Sequence, residues 1–431
     1  MSVVYGVEIL VNTIDMKKSE SLIKRCTTIF LVIFVIGAFL GDYKVVGRLA
    51  ISNILQVISL LFLIPAISKV FTLKDILVYI GMILSLFITD YFVFLWFGIT
   101  PKYIYSVFFS LMIFVLQYFI LLAKKNVYYT FFLEVMKKLL FFVLIYFIIY
   151  ASYEFIVQHH QYLRLGFDDK THACILSAFF AFFSLKENSG VSKYIYSFTF
   201  MLLSLLTISR LSIIFLALFV FAIATSFSDF MTIIHRNDDG YGIARFYLGI
   251  LSLLIVVCIT AFLFIKNYSS FGVFNRVSSG SSGSTQGHML LIKYGVRAKF
   301  TNIGTFLLGI GPGDFASFVT RINSTVDTSE FARTDPTGFA ALCRGTMPMH
   351  SVHFSIFSEF PLIIFLAYVW LNIKIIYSLV KGRLNIDLFF FVAFTTSITF
   401  YSSHDELFYY LIMIYLIMIS FSEKISLDLK K

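Results

Sequence analysis

The chain has 431 residues, of which 59% are hydrophobic and only 13% charged, and its mean hydropathy is +0.89. A soluble domain carries nearer a quarter charged residues because it must present polar surface to water, so this composition excludes an ordinary soluble enzyme. The formal net charge of +10 does not indicate nucleic acid, because the Lys and Arg residues are spread among short loops, where they anchor against anionic headgroups.

A helical membrane span needs about 20 apolar residues. Apolar runs fall near 27–43, 46–66, 76–97, 102–123, 139–157, 171–185, 192–208, 211–226, 247–265, 352–373, 386–402 and 407–421. The pattern predicts an all-α polytopic membrane protein of about twelve transmembrane helices, preceded by a mixed polar tail with no small-residue cleavage site. From Tyr194 to Phe227 there is no Gly or Pro. A single helix there would be roughly 50 Å long against a hydrocarbon core of about 30 Å, so the reading is a hairpin turning at Ser209-Arg210. Lys and Arg concentrate at every second junction (Lys24 and Arg25, Lys124 and Lys125, Lys186, Lys381), which places both termini in the cytoplasm. The organisation predicted is about nine helices over 1–266, a large outer loop over 267–350, and about three helices over 351–431. The four cysteines form no spaced cluster, so neither a disulfide framework nor a zinc site is expected.

Chemistry is sought at the outer face. Arg210 lies close to hydrocarbon, where a charge needs a partner or a job. Its planar fork suits phosphate, and a snorkelling interfacial anchor is the plainer alternative. In the loop, Arg276, Lys293, Arg297 and Lys299 face no Asp or Glu between Asn267 and Asp314. That set makes either a cationic pocket for a pyrophosphate or a solvated loop that meets headgroups. A helix-like stretch, Met289 to Phe300, followed by the tight turn Gly309-Ile310-Gly311-Pro312-Gly313-Asp314, predicts a folded cap. The turn lacks the Lys-Ser/Thr that would make it a phosphate-binding P-loop. His350 stands where the loop re-enters the membrane and is a candidate general base, or else a structural histidine. Glu359 and Asp90 are carboxyls inside predicted spans and require a reason to be there. His159-His160 with Asp168-Asp169 have no regular ligand spacing, and no metal site is expected.

The order of these features resembles the bacterial O-antigen polymerase and O-antigen ligase superfamily. It runs from Ser209-Arg210 at an outer hairpin, through a loop arginine and a helical stretch, to Gly309-Ile310-Gly311-Pro312-Gly313-Asp314, then His350-Ser351 with Glu359 behind. The resemblance spans roughly Tyr194 to Leu371 by motif. It implies a GT-C-like glycosyltransferase of the bacterial inner membrane, with its site facing the periplasm and no metal or other cofactor. Arginines would grip undecaprenyl pyrophosphate, and a loop histidine would act on the acceptor hydroxyl. By position these are Arg210 and His350, with Arg276 as a further catalytic arginine and Arg297, His288, Lys293 and Glu359 as substrate-binding residues. Where the family has an arginine opening the helical stretch, this chain has His288, so Arg276 or Arg297 must substitute. Ser351 replaces the usual Asn, and Pro361 the usual Gly after the acid. The activity implied is a polymerase, with the ligase acting on lipid A–core as alternative and a lipid-linked oligosaccharide flippase as second alternative. A chain-length regulator, a flippase and membrane lipid are the implied partners.

Overall fold

The structure, a computed structural model, describes residues 2–39, 44–46, 49–159, 162–167, 169–188, 190–234, 283–322, 327–382, 385–400 and 407–422. The predicted span 247–265 and Arg276 lie outside the described residues.

Helix α1 (Ser2–Phe39) is followed by a small antiparallel ribbon pairing Lys44–Val46 with Leu49–Ala50. The second predicted span is two helices, α2 (Ile51–Leu61) and α3 (Ile64–Val70), interrupted ahead of Pro65, which has no N–H to continue the ladder. Helix α4 (Leu73–Phe97) starts at a capping box between Thr72 and Asp75 and stops at Gly98, whose φ of 63° is left-handed. Then come α5 (Tyr103–Ala123), α6 (Asn126–Ser152) with a terminal π-turn Tyr153–Val157, α7 (Lys170–Glu187), α8 (Gly190–Leu206) and α9 (Leu211–Ile234). The chain thus turns over residues 207–210, where the hairpin was expected. Helix α6 begins well before its apolar run, because its first turns carry Glu134, Lys137 and Lys138 beyond the hydrophobic stretch.

The cap holds α10 (Gly283–Lys299), α11 (Ile303–Leu308), α12 (Phe315–Arg321), α13 (Ser329–Thr334) and α14 (Pro336–Cys343), and α15 (Val352–Glu359) lies beneath it against the bundle. The last helices are α16 (Leu362–Lys381), α17 (Asn385–Phe400) and α18 (Leu407–Ser420). The run at 352–373 is therefore not one span. Pro361 breaks it into the eight-residue α15, whose Val352 and Ile356 lie in the core of the bundle, and α16. Among the described residues five helical stretches are long and apolar enough to cross a bilayer: Lys18–Phe39, Leu73–Phe97, Tyr103–Ala123, Val127–Val157 and Leu362–Lys381. Their outer faces are apolar; Leu84, Ile88, Leu95 and Trp96 are all more than half exposed along α4. A face of this kind needs lipid and not water. The protein is a helical, membrane-embedded one.

Two cores organise it. The larger fills the bundle and is rich in Phe and Tyr; every residue of α7 from Thr171 to Leu185 is buried, as is every residue of α18 from Phe408 to Ile419. The smaller lies in the cap, where Leu291, Tyr294, Phe315, Phe318 and Phe331 pack on Val93 and Ile99 from the end of α4.

At the opposite end of the bundle Lys186 meets Asp387 at 2.6 Å, a contact of charges without a well-directed hydrogen bond, and Tyr415 donates to Asp387 at 2.8 Å. Removing one member of a buried ion pair strands the other, which costs about 3–5 kcal/mol when nothing else compensates. Because Tyr415 still serves Asp387, Lys186→Met is expected to lose roughly 2–3 kcal/mol. Thermal unfolding in detergent checks this, and Lys186→Met combined with Asp387→Leu should regain most of the loss.

Candidate active site

The cap and the bundle meet around His350. This residue precedes Ser351, which caps α15 by accepting the N–H of Phe354. His350 sits at φ 56°, a left-handed conformation that a non-glycine residue holds only when its surroundings enforce it. The enforcement comes from α10. His288 and Gly295 are seven residues apart, two helical turns, so they share a face. Met349 lies on Gly295, where an added Cβ would meet its Sδ at 2.8 Å. The His350 ring stacks on that of His288 with centroids 4.7 Å apart and an angle of 13°. Both histidines are half-buried.

The rim facing His350 is the loop before α7. Asp169 caps α7 by accepting the N–H of Thr171 at 2.8 Å. Although Asp169 is exposed, atoms crowding one side of its carboxyl would raise its pKa; His172, then the N–H and hydroxyl of Thr171, and least of all His350 outweigh this and hold it below the ordinary carboxylate value. Asp169 is therefore within electrostatic reach of His350. The neighbouring Lys170 donates to the carbonyl of Ile208 at 3.2 Å and lies 4.6 Å from the centre of the Tyr162 ring. That bond ties the turn carrying Arg210, itself half-buried, to the same rim. The loop is a built one. The π-turn at the end of α6 delivers Glu154, whose carboxylate accepts the N–H groups of Arg164 at 2.7 Å, Leu165 at 3.1 Å and Gly166 at 3.3 Å.

Of the other described residues marked from the sequence, none joins this cleft. Arg297 is nine residues from His288, half a revolution round α10 on a helix of 3.6 residues per turn, roughly 13 Å further along. Lys293 faces Glu330 across the cap surface at 3.8 Å. Glu359 is buried under the glycine turn, where it accepts the N–H of Gly313 at 2.9 Å. The turn itself is structural. Its Ile310 and Gly311 N–H groups donate to the carbonyls of Ser358 and Glu359, at 3.1 Å each, and so finish the broken end of α15. Lys299, fully buried in the cap, donates to the carbonyl of Phe360 at 2.8 Å, and burial lowers its ammonium to about 8.

His353, one turn beyond His350, is spoken for. Its Nε2 meets the carbonyl of Thr395 at 3.2 Å, which assigns the proton there, and its Nδ1 accepts the Tyr368 hydroxyl at 2.5 Å. It fastens α15 to α16 and α17. Tyr368 also lines an apolar cavity of about 260 Å³ between α4, α5, α16 and α18, to which α15 contributes Ile356 and its C-cap residue Phe360. Among the described residues no three His, Cys, Asp or Glu side chains are placed to share a metal ion.

From the sequence, Asp169 enters only as part of a possible outward metal cluster with His159, His160 and Asp168, and Lys170 does not enter at all. The signal available was an Asp capping a helix just before a buried apolar run, and such caps occur at many helices without function. No family model matches the chain, and no curated protein sequence matches it.

Proposed function

We infer that the protein is a surface-polysaccharide polymerase of the bacterial inner membrane, moving glycan from undecaprenyl pyrophosphate onto the non-reducing end of a lipid-linked repeat unit. The observation that carries this reading is the strained His350, stacked on His288, facing a rim that bears Asp169, Lys170 and the Arg210 turn. In this reading the chain crosses the membrane about twelve times with the cap in the periplasm.

The roles follow from the chemistry. His350 accepts the proton of the acceptor hydroxyl as the oxygen attacks the anomeric carbon. Asp169 steadies the imidazolium that forms, as a carboxylate does beside any histidine base. The bond from the anomeric carbon to the pyrophosphate oxygen breaks, and fixed cations stabilise the charge left on that oxygen. Arg210 and Lys170 supply those charges at the rim, and Arg276 is a third candidate from the sequence. The apolar cavity beside α15 suits a substrate whose other end is a hydrocarbon chain.

Purified protein in lipid vesicles, given lipid-linked repeat units, should lengthen them, and should do so in excess EDTA. A gel ladder of products reads the outcome, and abolition by EDTA with rescue by Mg²⁺ would sink the metal-free mechanism. Arg210→Lys should lose most of the activity of the wild type, because a point charge does not replace the bidentate fork. Normal ladders from Arg210→Ala at equal protein levels would remove Arg210 from the mechanism.

A further inference from the structure

Beneath the glycine turn lie three carboxyls that the proposed reaction does not use. Asp314 is 0% exposed and Asp90 1% exposed, and neither oxygen of either carboxyl has a well-directed hydrogen bond. The third, Glu359, accepts the Gly313 N–H. Among the described residues the cation that faces them is Lys102 from the α4–α5 connection. Its ammonium donates to the carbonyls of Gly313 and Gly345, at 2.7 and 2.8 Å, and not to a carboxylate. The Lys102 N–H beside Asp314 and the Ser106 hydroxyl beside Asp90 are the donors at hand, a poor return for a buried carboxylate, and taking up a proton relieves it. Burial accordingly raises Asp314 to about 7; Lys102 opposes the rise, while Glu359 from α15 and Asp90 from α4 add to it.

The position of Asp314 gives that proton leverage. Its carboxyl lies against Gly311, where a Cβ would meet Oδ2 at 2.8 Å, and its N–H closes the turn on the Gly311 carbonyl at 3.1 Å. The Gly311 N–H holds the carbonyl of Glu359 at the broken end of α15. Any charge on Asp314 is therefore felt at the bonds that seat the cap on the bundle.

We propose that Asp314 is a proton-binding site that latches the cap: with its proton the Gly309–Asp314 turn stays seated on α15, and on losing it the turn lifts. In the lifted turn Asp314 meets water and regains an ordinary carboxyl value near 4. Between about pH 4 and pH 7 the seated turn then holds one proton more than the lifted one. The ratio of seated to lifted forms falls about tenfold per pH unit across that window and is level above it. This latch does not depend on the identity of the reaction.

The test is hydrogen exchange at the amides of Ile310, Gly311 and Gly313 in the full-length protein in nanodiscs, from about pH 5 to pH 9. Dividing each rate by its intrinsic value at the same pH leaves the protection due to seating. Protection should fall up to tenfold per unit as far as about pH 7 and then level off, and Asp314→Asn should give one protection at all pH values. A flat wild-type profile, or the same fall in Asp314→Asn, overturns the proposal. If Asp314→Asn does not fold, infrared difference spectra of wild type with ¹³C-labelled aspartate take its place. A protonated carboxyl band that disappears around pH 7 is the expected result, and the absence of any aspartate titrating there overturns the proposal equally.

Discussion

Substituting alanine for His350 is expected to slow glycan elongation by about 10²- to 10⁴-fold, the usual contribution of a positioned general base. Donor lipid should still bind, because the cations of the rim are untouched. Three features make the loss specific to the imidazole. The backbone of His350 is held at φ 56°, one face of its ring is covered by His288, and its charge acts on Asp169. His350→Gln separates the two roles a histidine can fill. Glutamine keeps a hydrogen-bond donor but does not act as a base near neutral pH, so it should be nearly as impaired as alanine. A Gln variant with substantial activity would reduce His350 to a donor toward phosphate or sugar. Replacing His353 should behave differently, lowering thermal stability because both of its ring nitrogens fasten helices together.

Gly309→Ala is expected to unseat the cap. Gly309 has φ 91° and ψ 179°, a region open essentially to glycine alone, where another residue pays about 1–3 kcal/mol in strain. A methyl group there also runs into the carbonyl of Glu359 and comes within 2.7 Å of the Phe360 oxygen. Both obstacles are backbone at the end of α15 and do not swing aside. Strain and clash together should exceed about 4 kcal/mol locally, enough to leave the cap detached from a folded bundle. Limited proteolysis reads this directly, with new cleavage in the cap while the membrane helices stay protected. Unchanged proteolysis and unchanged thermal stability would show that the turn is not what seats the cap.

The helical bundle was legible because apolar runs of spanning length are the strongest pattern a sequence carries. The hairpin at Ser209-Arg210 was legible from length alone. The start of α6 was not, since Glu134, Lys137 and Lys138 look like loop residues until Lys137 is seen 3.5 Å from Glu187. The break at Pro361 was equally hidden. Apolar residues flank it on both sides, and the donors that make it tolerable come from Lys299, Ile310 and Gly311, some fifty residues away in the chain. Among the site residues, His350 and His288 were both marked, yet their stacking rests on a pairing of α10 with α15 that no periodicity reveals. Lys293 and Arg297 were marked for their charge. Charge alone does not say which face of α10 points at the cleft.

The burial of α18 from Phe408 to Ile419 has a consequence for how the protein is made. The helix packs against α1, α5, α6, α7 and α16, so the middle of the bundle is completed by the last of the described helices to leave the ribosome. At roughly 5–20 residues per second, α5 waits for that neighbour for tens of seconds. During this interval the earlier helices lack the partners that the rings of Phe108, Phe179 and Phe183 meet in the finished bundle, Tyr410 and Tyr415, and those rings must meanwhile be covered by lipid, by the insertion machinery or by one another. Synthesis halted before Leu407 would thus leave a set of inserted helices without a centre, a natural substrate for membrane quality-control proteases.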